Sequence, residues 1–252
     1  MERFFVPKSW INDDRVRLEL ETAHQIIRVF RLSSGDEISI LDNSGSEYHV
    51  RIDRISGGIV EGAIIDTATG NLEPSIHVTL YQGILKGEKF EWILQKGTEL
   101  GVCQFVPMIC SRSIPRHTEK WYLDKRARWN KIVTEASEQS GRTRVPVISD
   151  PKSFQDACLE ASLPSIVSII PWEQEVDKKL KDAIRNIGSD SIGILIGPEG
   201  GFDKSEISLA WSKGITPVTI GKRILRAETA AIATLSIIFH ELDNPDGRPS
   251  SV

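Results

Sequence analysis

The sequence predicts an α/β protein in two parts: a small β-barrel of residues 1–72, then a larger domain, residues 73–245, on a mostly parallel sheet with helices on both faces. Three observations predict it. Before Gly70-Asn71-Leu72-Glu73-Pro74, short strand-like runs separated by compact turns dominate, as in small antiparallel barrels. After Pro74 the pattern becomes strand, helix, strand, helix, the alternation of a parallel sheet. Near the C-terminal end two glycine-bearing turns each follow an apolar run and precede a helix, the edge at which open α/β sheets bind small ligands.

In the first part the strand candidates are residues 3–6, 37–41, 47–52 and 58–65. Ser34-Gly35-Asp36, Asn43-Ser44-Gly45 and Ser56-Gly57-Gly58 supply the turns, and one helix is expected over residues 21–30. The second part opens with a strand at 76–81. A helix over 88–100 follows, with Phe90, Ile93, Leu94, Gly97 and Leu100 on one face and Gly101 closing it. Next come a strand at 105–109, a long helix over 119–140 and a short edge strand at 145–147, where Pro146 lacks the ladder donor. A helix over 153–161, a strand at 165–170, a helix over 175–187 and a strand at 192–196 continue the alternation. The next helix, over 203–213, starts at Asp203-Lys204-Ser205-Glu206, which has the spacing of a capping box. A strand at 216–220 and a last helix over 227–242 complete the domain, and residues 246–252 read as a frayed tail.

With 252 residues, 40% of them apolar and 26% charged, the chain is long enough to bury the core of a folded protein. No apolar stretch approaches the roughly 18 residues of a membrane span, and residues 1–7 turn polar too quickly for a secretory signal, so a cytoplasmic protein is expected. Cys103, Cys110 and Cys158 stand in or beside apolar runs without Cys-x-x-Cys spacing and are expected to be buried free thiols. The histidines are scattered, so no metal site is expected.

A net charge of −4 argues against a protein that coats nucleic acid by bulk attraction. One segment is nevertheless basic. Arg112, Arg116, Lys120, Lys125, Arg126, Arg128 and Lys131 alternate with Trp121, Tyr122 and Trp129, and Arg142 and Arg144 follow. Two readings stand: phosphate contacts with base stacking, or a solvated helix face whose aromatics belong to the core.

The two glycine turns are Ile196-Gly197-Pro198-Glu199-Gly200-Gly201-Phe202 and Ile220-Gly221-Lys222-Arg223-Ile224-Leu225-Arg226-Ala227-Glu228-Thr229-Ala230. Bare backbone there offers N–H and C=O groups to an adenine or ribose. Neither turn has the spacing of a Walker loop or of Gly-x-Gly-x-x-Gly, and the first is also compatible with a mere tight connection. Glu199, Arg226 and Glu228 are the candidates for chemistry. Each glutamate also has an ordinary reading, Glu199 as cap of the following helix and Glu228 in the first turn of the last helix, where a carboxylate suits the dipole.

Together the two turns resemble the signature pair of the RsmE family, bacterial 16S ribosomal RNA uridine-N3 methyltransferases of the SPOUT superfamily. Residues 3–6, 24–32, 95–102, 111–113 and 135–142 resemble further family blocks in the family order, so the resemblance spans nearly the whole chain. Ala227 stands where a threonine is usual and Gly97 where an alanine is usual. A glycine inside a helix costs up to about 1 kcal/mol relative to alanine.

The resemblance implies a trefoil-knot C-terminal domain, a PUA-like RNA-binding barrel before it, and a homodimer with its cofactor clefts at the subunit interface. It places S-adenosylmethionine against Ile196, Gly197, Gly200, Ile220, Gly221, Leu225 and Ala227, mainly through backbone. The implied target is N3 of one uridine, 1498 in the usual rRNA numbering, in the assembled small ribosomal subunit. Methyl transfer from a sulfonium is an in-line displacement in which positioning supplies much of the gain. Uridine N3 must lose its proton, so a base or a group that stabilises the developing anion is needed. Arg226 is assigned to the uracil anion or the target phosphate, and either Glu199 or Glu228 to the base. Arg112, Arg116 and Arg142 are expected to hold rRNA, and Arg3, Lys8, Arg15 and Arg17 to grip it from the barrel. Two rivals stay open: a SPOUT methyltransferase for another RNA or base position, and a non-catalytic RNA-binding assembly factor.

Overall fold

The computed structural model describes residues 1–69, 72–113, 119–185 and 188–243, with the backbone alone at 119–121. The expected 70–71 turn, the C-terminal tail, Arg116 and the side chains of Lys120 and Trp121 lie outside the described residues. The chain forms two compact units, Met1–Glu73 with Ser137–Val145, and Pro74–Ala136 with Pro146–Val252.

The first unit is a mixed six-stranded sheet. β1 (Glu2–Phe5), β2 (Ile11–Asn12) and β3 (Arg15–Leu18) precede a short helix, α1 (Leu20–His24), and β4 (Glu37–Leu41), β5 (Ser46–Ser56) and β6 (Ile59–Thr69) follow. The order is β1-β4-β5-β6-β3-β2, with β1 and β4 parallel and the other pairs antiparallel. Phe4, Val16, Leu18, Ile38, Ile40, Val50, Ile52 and Val60 pack as its core. β2 and β3 are not foreseen from the sequence, because Asp13 turns between them at φ 44° without a glycine to mark the place. The helix expected over 21–30 is split: α1 passes into a π-helical turn at Gln25–Val29, and a Leu32 to Ile26 backbone bond of 3.0 Å closes it.

Ser137–Val145 joins this unit through Glu73 and Arg3. The Glu73 carboxylate accepts from the amides of Thr143 (2.8 Å) and Arg144 (3.0 Å) and pairs with Arg142 at 2.8 Å. Arg3 pairs with Glu47 at 2.6 Å and donates to the carbonyl of Gly141 at 3.0 Å, and Glu138 accepts from the Phe5 amide at 3.0 Å.

The second unit carries a parallel sheet in the order β10-β8-β7-β12-β11-β13, with β9 also paired to β8. Its elements are β7 (His77–Gly83), α2 (Lys89–Leu100), β8 (Gln104–Ile109), α3 (Glu119–Ser140, of which residues 137–140 belong to the first unit), β9 (Val147–Ile148), β10 (Lys152–Ser153), α4 (Phe154–Ala161) and β11 (Val167–Pro171). α5 (Leu180–Ile184), β12 (Ser191–Ile196), α6 (Lys204–Ser212), β13 (Thr216–Val218) and α7 (Ala227–Leu242) follow. The strands are buried runs such as Ile192, Ile194, Leu195 and Ile196, as a sheet covered on both faces requires. Gly101 ends α2 at φ 117°, and α6 starts with the capping box of Asp203 and Glu206.

Among the described residues, the helix expected over 175–187 is confined to Leu180–Ile184, and residues 186–187 lie outside them. Residues 178–180 run beside the end of β13 instead, with Thr219 N–H to Lys178 O at 2.8 Å and Leu180 N–H to Thr219 O at 3.0 Å, so tertiary pairing replaces helical bonds there. Cys110 and Cys158 are buried as expected, whereas Cys103 is only half-buried. Among the described residues no helix is long and apolar enough to cross a membrane.

Candidate active site

β12, β11 and β13 are neighbours in one parallel sheet, so their C-terminal ends open on one edge. The first glycine turn leaves β12, the second follows β13, and Trp172 and Glu173 leave β11 between them. The three segments enclose a cleft of about 500 Å³. That volume lies within the usual range of about 300–1,000 Å³ for small-molecule sites. Every residue assigned from sequence to cofactor or chemistry lines it: Ile196, Gly197, Gly200, Ile220, Gly221, Leu225 and Ala227, with Glu199, Arg226 and Glu228.

Backbone constraints explain the glycines. Gly221 sits at φ 137°, Gly201 at φ 68°, and a Cβ on Gly197 would lie 3.2 Å from the Phe202 ring. Gly83, at the end of β7, has the same kind of role: a Cβ there would lie 2.6 Å from the Pro198 nitrogen. The turn at 197–198 therefore rests directly on the β7 backbone.

Lys89, near the start of α2, reaches into the cleft and stands 3.6 Å from Glu199 and 3.7 Å from Glu228. Glu199 also accepts from the Lys86 amide at 3.0 Å. Burial pushes the Glu199 carboxyl up, but the Lys86 amide and the Lys89 ammonium more than offset it, so it lies below the usual carboxylate range. Its reading as a helix cap falls away, because Asp203 holds that position. Glu228 does stand in the first turn of α7, yet its Oε2 is buried without a hydrogen-bond partner. Trp172 Nε1 is orphaned in the same way. Two residues of the cleft thus each hold a buried polar atom without a protein partner, a carboxylate acceptor on Glu228 and an indole donor on Trp172. Arg226 is the exposed N-cap residue of α7, and its side chain has no bond to another described residue.

The residues expected to hold RNA are dispersed. Arg142 is 3% exposed and paired with Glu73, and Arg3 is turned to Glu47 and Gly141, so both guanidinium groups serve the interior of the first unit. Arg15 pairs with Asp53 and Arg17 with Glu19, both at the surface, and Lys8 is exposed. Arg112 bonds the carbonyl of Gly200. In α3, Tyr122 and Trp129 are buried, their rings 5.9 Å apart, and Trp129 lies 4.5 Å from Phe90. Lys125 and Arg128 pair with Glu91. Tyr122 and Trp129 thus lie in the core, while Lys125 and Arg128 carry their charge to Glu91.

Lys89, Trp172, Glu173 and Gly83 belong to the cleft or its support without being foreseen from the sequence, since no motif marks them. The one available signal is position: Trp172 directly follows the apolar run of β11, and Lys86 to Lys89 follow β7.

A parallel sheet whose glycine turns frame a nucleoside-sized cleft at its C-terminal edge defines a ligand-binding α/β domain. Residues 72–239 match the model of the RNA methyltransferase domain family. The ribosomal RNA small subunit methyltransferase E of Bacillus subtilis is 35% identical, over 96% of this chain and 98% of that protein. The Synechocystis protein of the same name is 32% identical over 94% of this chain and 76% of its own length. A crystal structure of the Neisseria gonorrhoeae enzyme of that name, bound to S-adenosylmethionine, superposes with a TM-score of 0.85 at 30% identity, covering 95% of this chain and 97% of that one. The chain belongs to the ribosomal RNA small subunit methyltransferase E family.

Proposed function

We propose that the protein is an S-adenosylmethionine-dependent methyltransferase that modifies N3 of a uridine, position 1498, in 16S rRNA of the small ribosomal subunit. The observation that carries this reading is the single cleft framed by both glycine turns, with the orphaned Trp172 Nε1 and Glu228 Oε2 among its residues. The cleft fits the cofactor. Bare backbone at Gly197, Gly200 and Gly221 offers N–H and C=O groups, and Trp172 Nε1 offers a donor. When bound, S-adenosylmethionine supplies a methyl group on a sulfonium, which leaves as a neutral thioether.

The chain's own residues then position and discharge the uracil. Arg226 stabilises the anion that develops on the uracil oxygens as the N3 proton departs. The Glu228 carboxylate takes that proton, while Glu199 is held ionised by the Lys86 amide and Lys89. In this reading the second unit carries the family's trefoil knot and the first its PUA-like barrel, the enzyme is a cytoplasmic homodimer, and Lys8, Arg15, Arg17 and Arg116 are the cations offered to rRNA.

The test is methyl transfer to small ribosomal subunits from cells lacking this gene, read by nucleoside mass spectrometry of the digested rRNA. Appearance of 3-methyluridine is the expected outcome. Cofactor binding without that product would move the activity to another RNA or base, and no cofactor binding would leave an RNA-binding assembly factor.

A further inference from the structure

Arg112 stands in a basic run, yet its guanidinium faces the first glycine turn. Nη1 donates to the Gly200 carbonyl at 3.0 Å, and Nη2 lies 3.2 Å from Asp203 Oδ2. The segment that carries Arg112 is fastened to the same turn a second time. The Ser111 amide donates to Glu206 Oε1 at 2.8 Å, and the other oxygen of this buried carboxylate accepts from the Asp203 amide at 2.8 Å. Within the segment, the Cys110 amide donates to Ser113 Oγ at 3.0 Å. Packing leaves no slack, since a Cβ on Gly200 would meet the Arg112 Cβ at 3.1 Å.

Two adjacent glycines, Gly200 and Gly201, give this turn more backbone freedom than any other composition would. A ligand that reads bare backbone needs that freedom removed beforehand, because ordering the turn on binding weakens affinity. The two bridges from residues 111 and 112 are what remove it. We infer that Arg112 is a positioning residue that fixes the Gly200 carbonyl and the backbone of the cofactor turn, and that it is not a phosphate clamp. This rests on the reading of the cleft as the S-adenosylmethionine site.

The test uses Arg112→Ala and Arg112→Lys in the full chain. Calorimetric titration with S-adenosylhomocysteine is expected to show about tenfold weaker binding for the alanine variant and a smaller loss for lysine, which keeps the charge but not the paired donors. Affinity for a 16S rRNA fragment should stay within about twofold of wild type, with an unchanged salt slope. Hydrogen exchange at the amides of residues 200–203, measured without ligand, should speed up by about tenfold. Asp203→Asn weakens only the Arg112–Asp203 pair and leaves the Gly200 bond, so it should speed exchange by less than the alanine variant, and it serves if that variant does not fold. Unchanged exchange in Arg112→Ala overturns the inference. So does a fall in RNA affinity with the salt slope reduced by about one and cofactor affinity kept. Faster exchange in a protein whose wild type binds no cofactor sinks the functional reading alone and leaves the positioning role in place.

Discussion

Arg226, Glu228 and Glu199 stand around one cleft with different partners, and the differences set what each substitution does. Arg226 has no side-chain partner among the described residues, so Arg226→Ala removes no structural bond. It should lower kcat by about 100-fold while cofactor affinity is kept, as loss of an anion-stabilising donor does. Glu228→Gln should lower kcat by a factor of about 100 to 1,000. Equal loss of cofactor affinity in either variant would argue for a binding role instead. Glu199 behaves as an ion-paired carboxylate. Its folded pKa is depressed, so its stabilisation is fully present above the ordinary carboxylate value of 4.5 and is lost as pH falls through the lowered folded value. The stability gap between wild type and Glu199→Gln, read from urea midpoints, should therefore be constant from about pH 7 to 6 and shrink towards about pH 3. A gap that widens on acidification would contradict the contacts to Lys86 and Lys89.

At the scale of elements, two glycines separate helix propensity from packing. Gly97 lies inside α2, where alanine is usual in the family it resembles, and propensity alone says that Gly97→Ala stabilises by up to about 1 kcal/mol. The structure reverses the sign. A Cβ at Gly97 would lie 2.8 Å from Cε1 of Phe105, whose ring is fully buried, and overpacking of this kind costs about 1–3 kcal/mol. A lower urea midpoint for Gly97→Ala is the expected result. Gly83→Ala should act at a distance from the ligand, pushing on Pro198 and weakening cofactor binding by about tenfold, measurable by calorimetry. Such close approaches mark the limit of what the sequence shows. The strands of the second unit are legible because each is a buried apolar run, and the cleft because glycine and the Asp203–Glu206 cap announce strand-to-helix turns. The stretch over 175–179 is not, since Thr219 claims its backbone from about forty residues away in sequence, a separation at which local periodicity carries no information. Lys89 and Trp172 are not legible either, because only the strand order β7-β12-β11-β13 brings them to the two turns.

At the scale of the whole molecule, the chain crosses between its compact units three times, after Glu73, after Ala136 and after Val145. The strand-helix pattern reveals only the first crossing. Residues 137–145 return to the first unit as a short segment without a strand, held by side chains: Glu73 to the amides of Thr143 and Arg144, Arg3 to Gly141, Glu138 to Phe5, and Asn43 to the Val145 amide at 2.7 Å. These partners satisfy polar groups of the first 73 residues, among them the Glu73 carboxylate, the Phe5 amide and the Asn43 side chain. Arg142 is buried, its side chain 4% exposed against 20% for Glu73. Removing Arg142 takes the charged partner from a part-buried Glu73 that keeps the Thr143 and Arg144 amides, at a cost of about 1.5–3 kcal/mol. Arg142→Ala should therefore lower the stability of the full chain, read from its urea midpoint, by that amount, far more than a solvated phosphate-binding arginine would. A fragment ending at residue 73 lacks the whole segment. It should show no cooperative urea transition by circular dichroism, although its six strands and their apolar core are all present. Cooperative unfolding of that fragment, together with a neutral Arg142→Ala, would mean that residues 137–145 decorate the first unit and do not complete it.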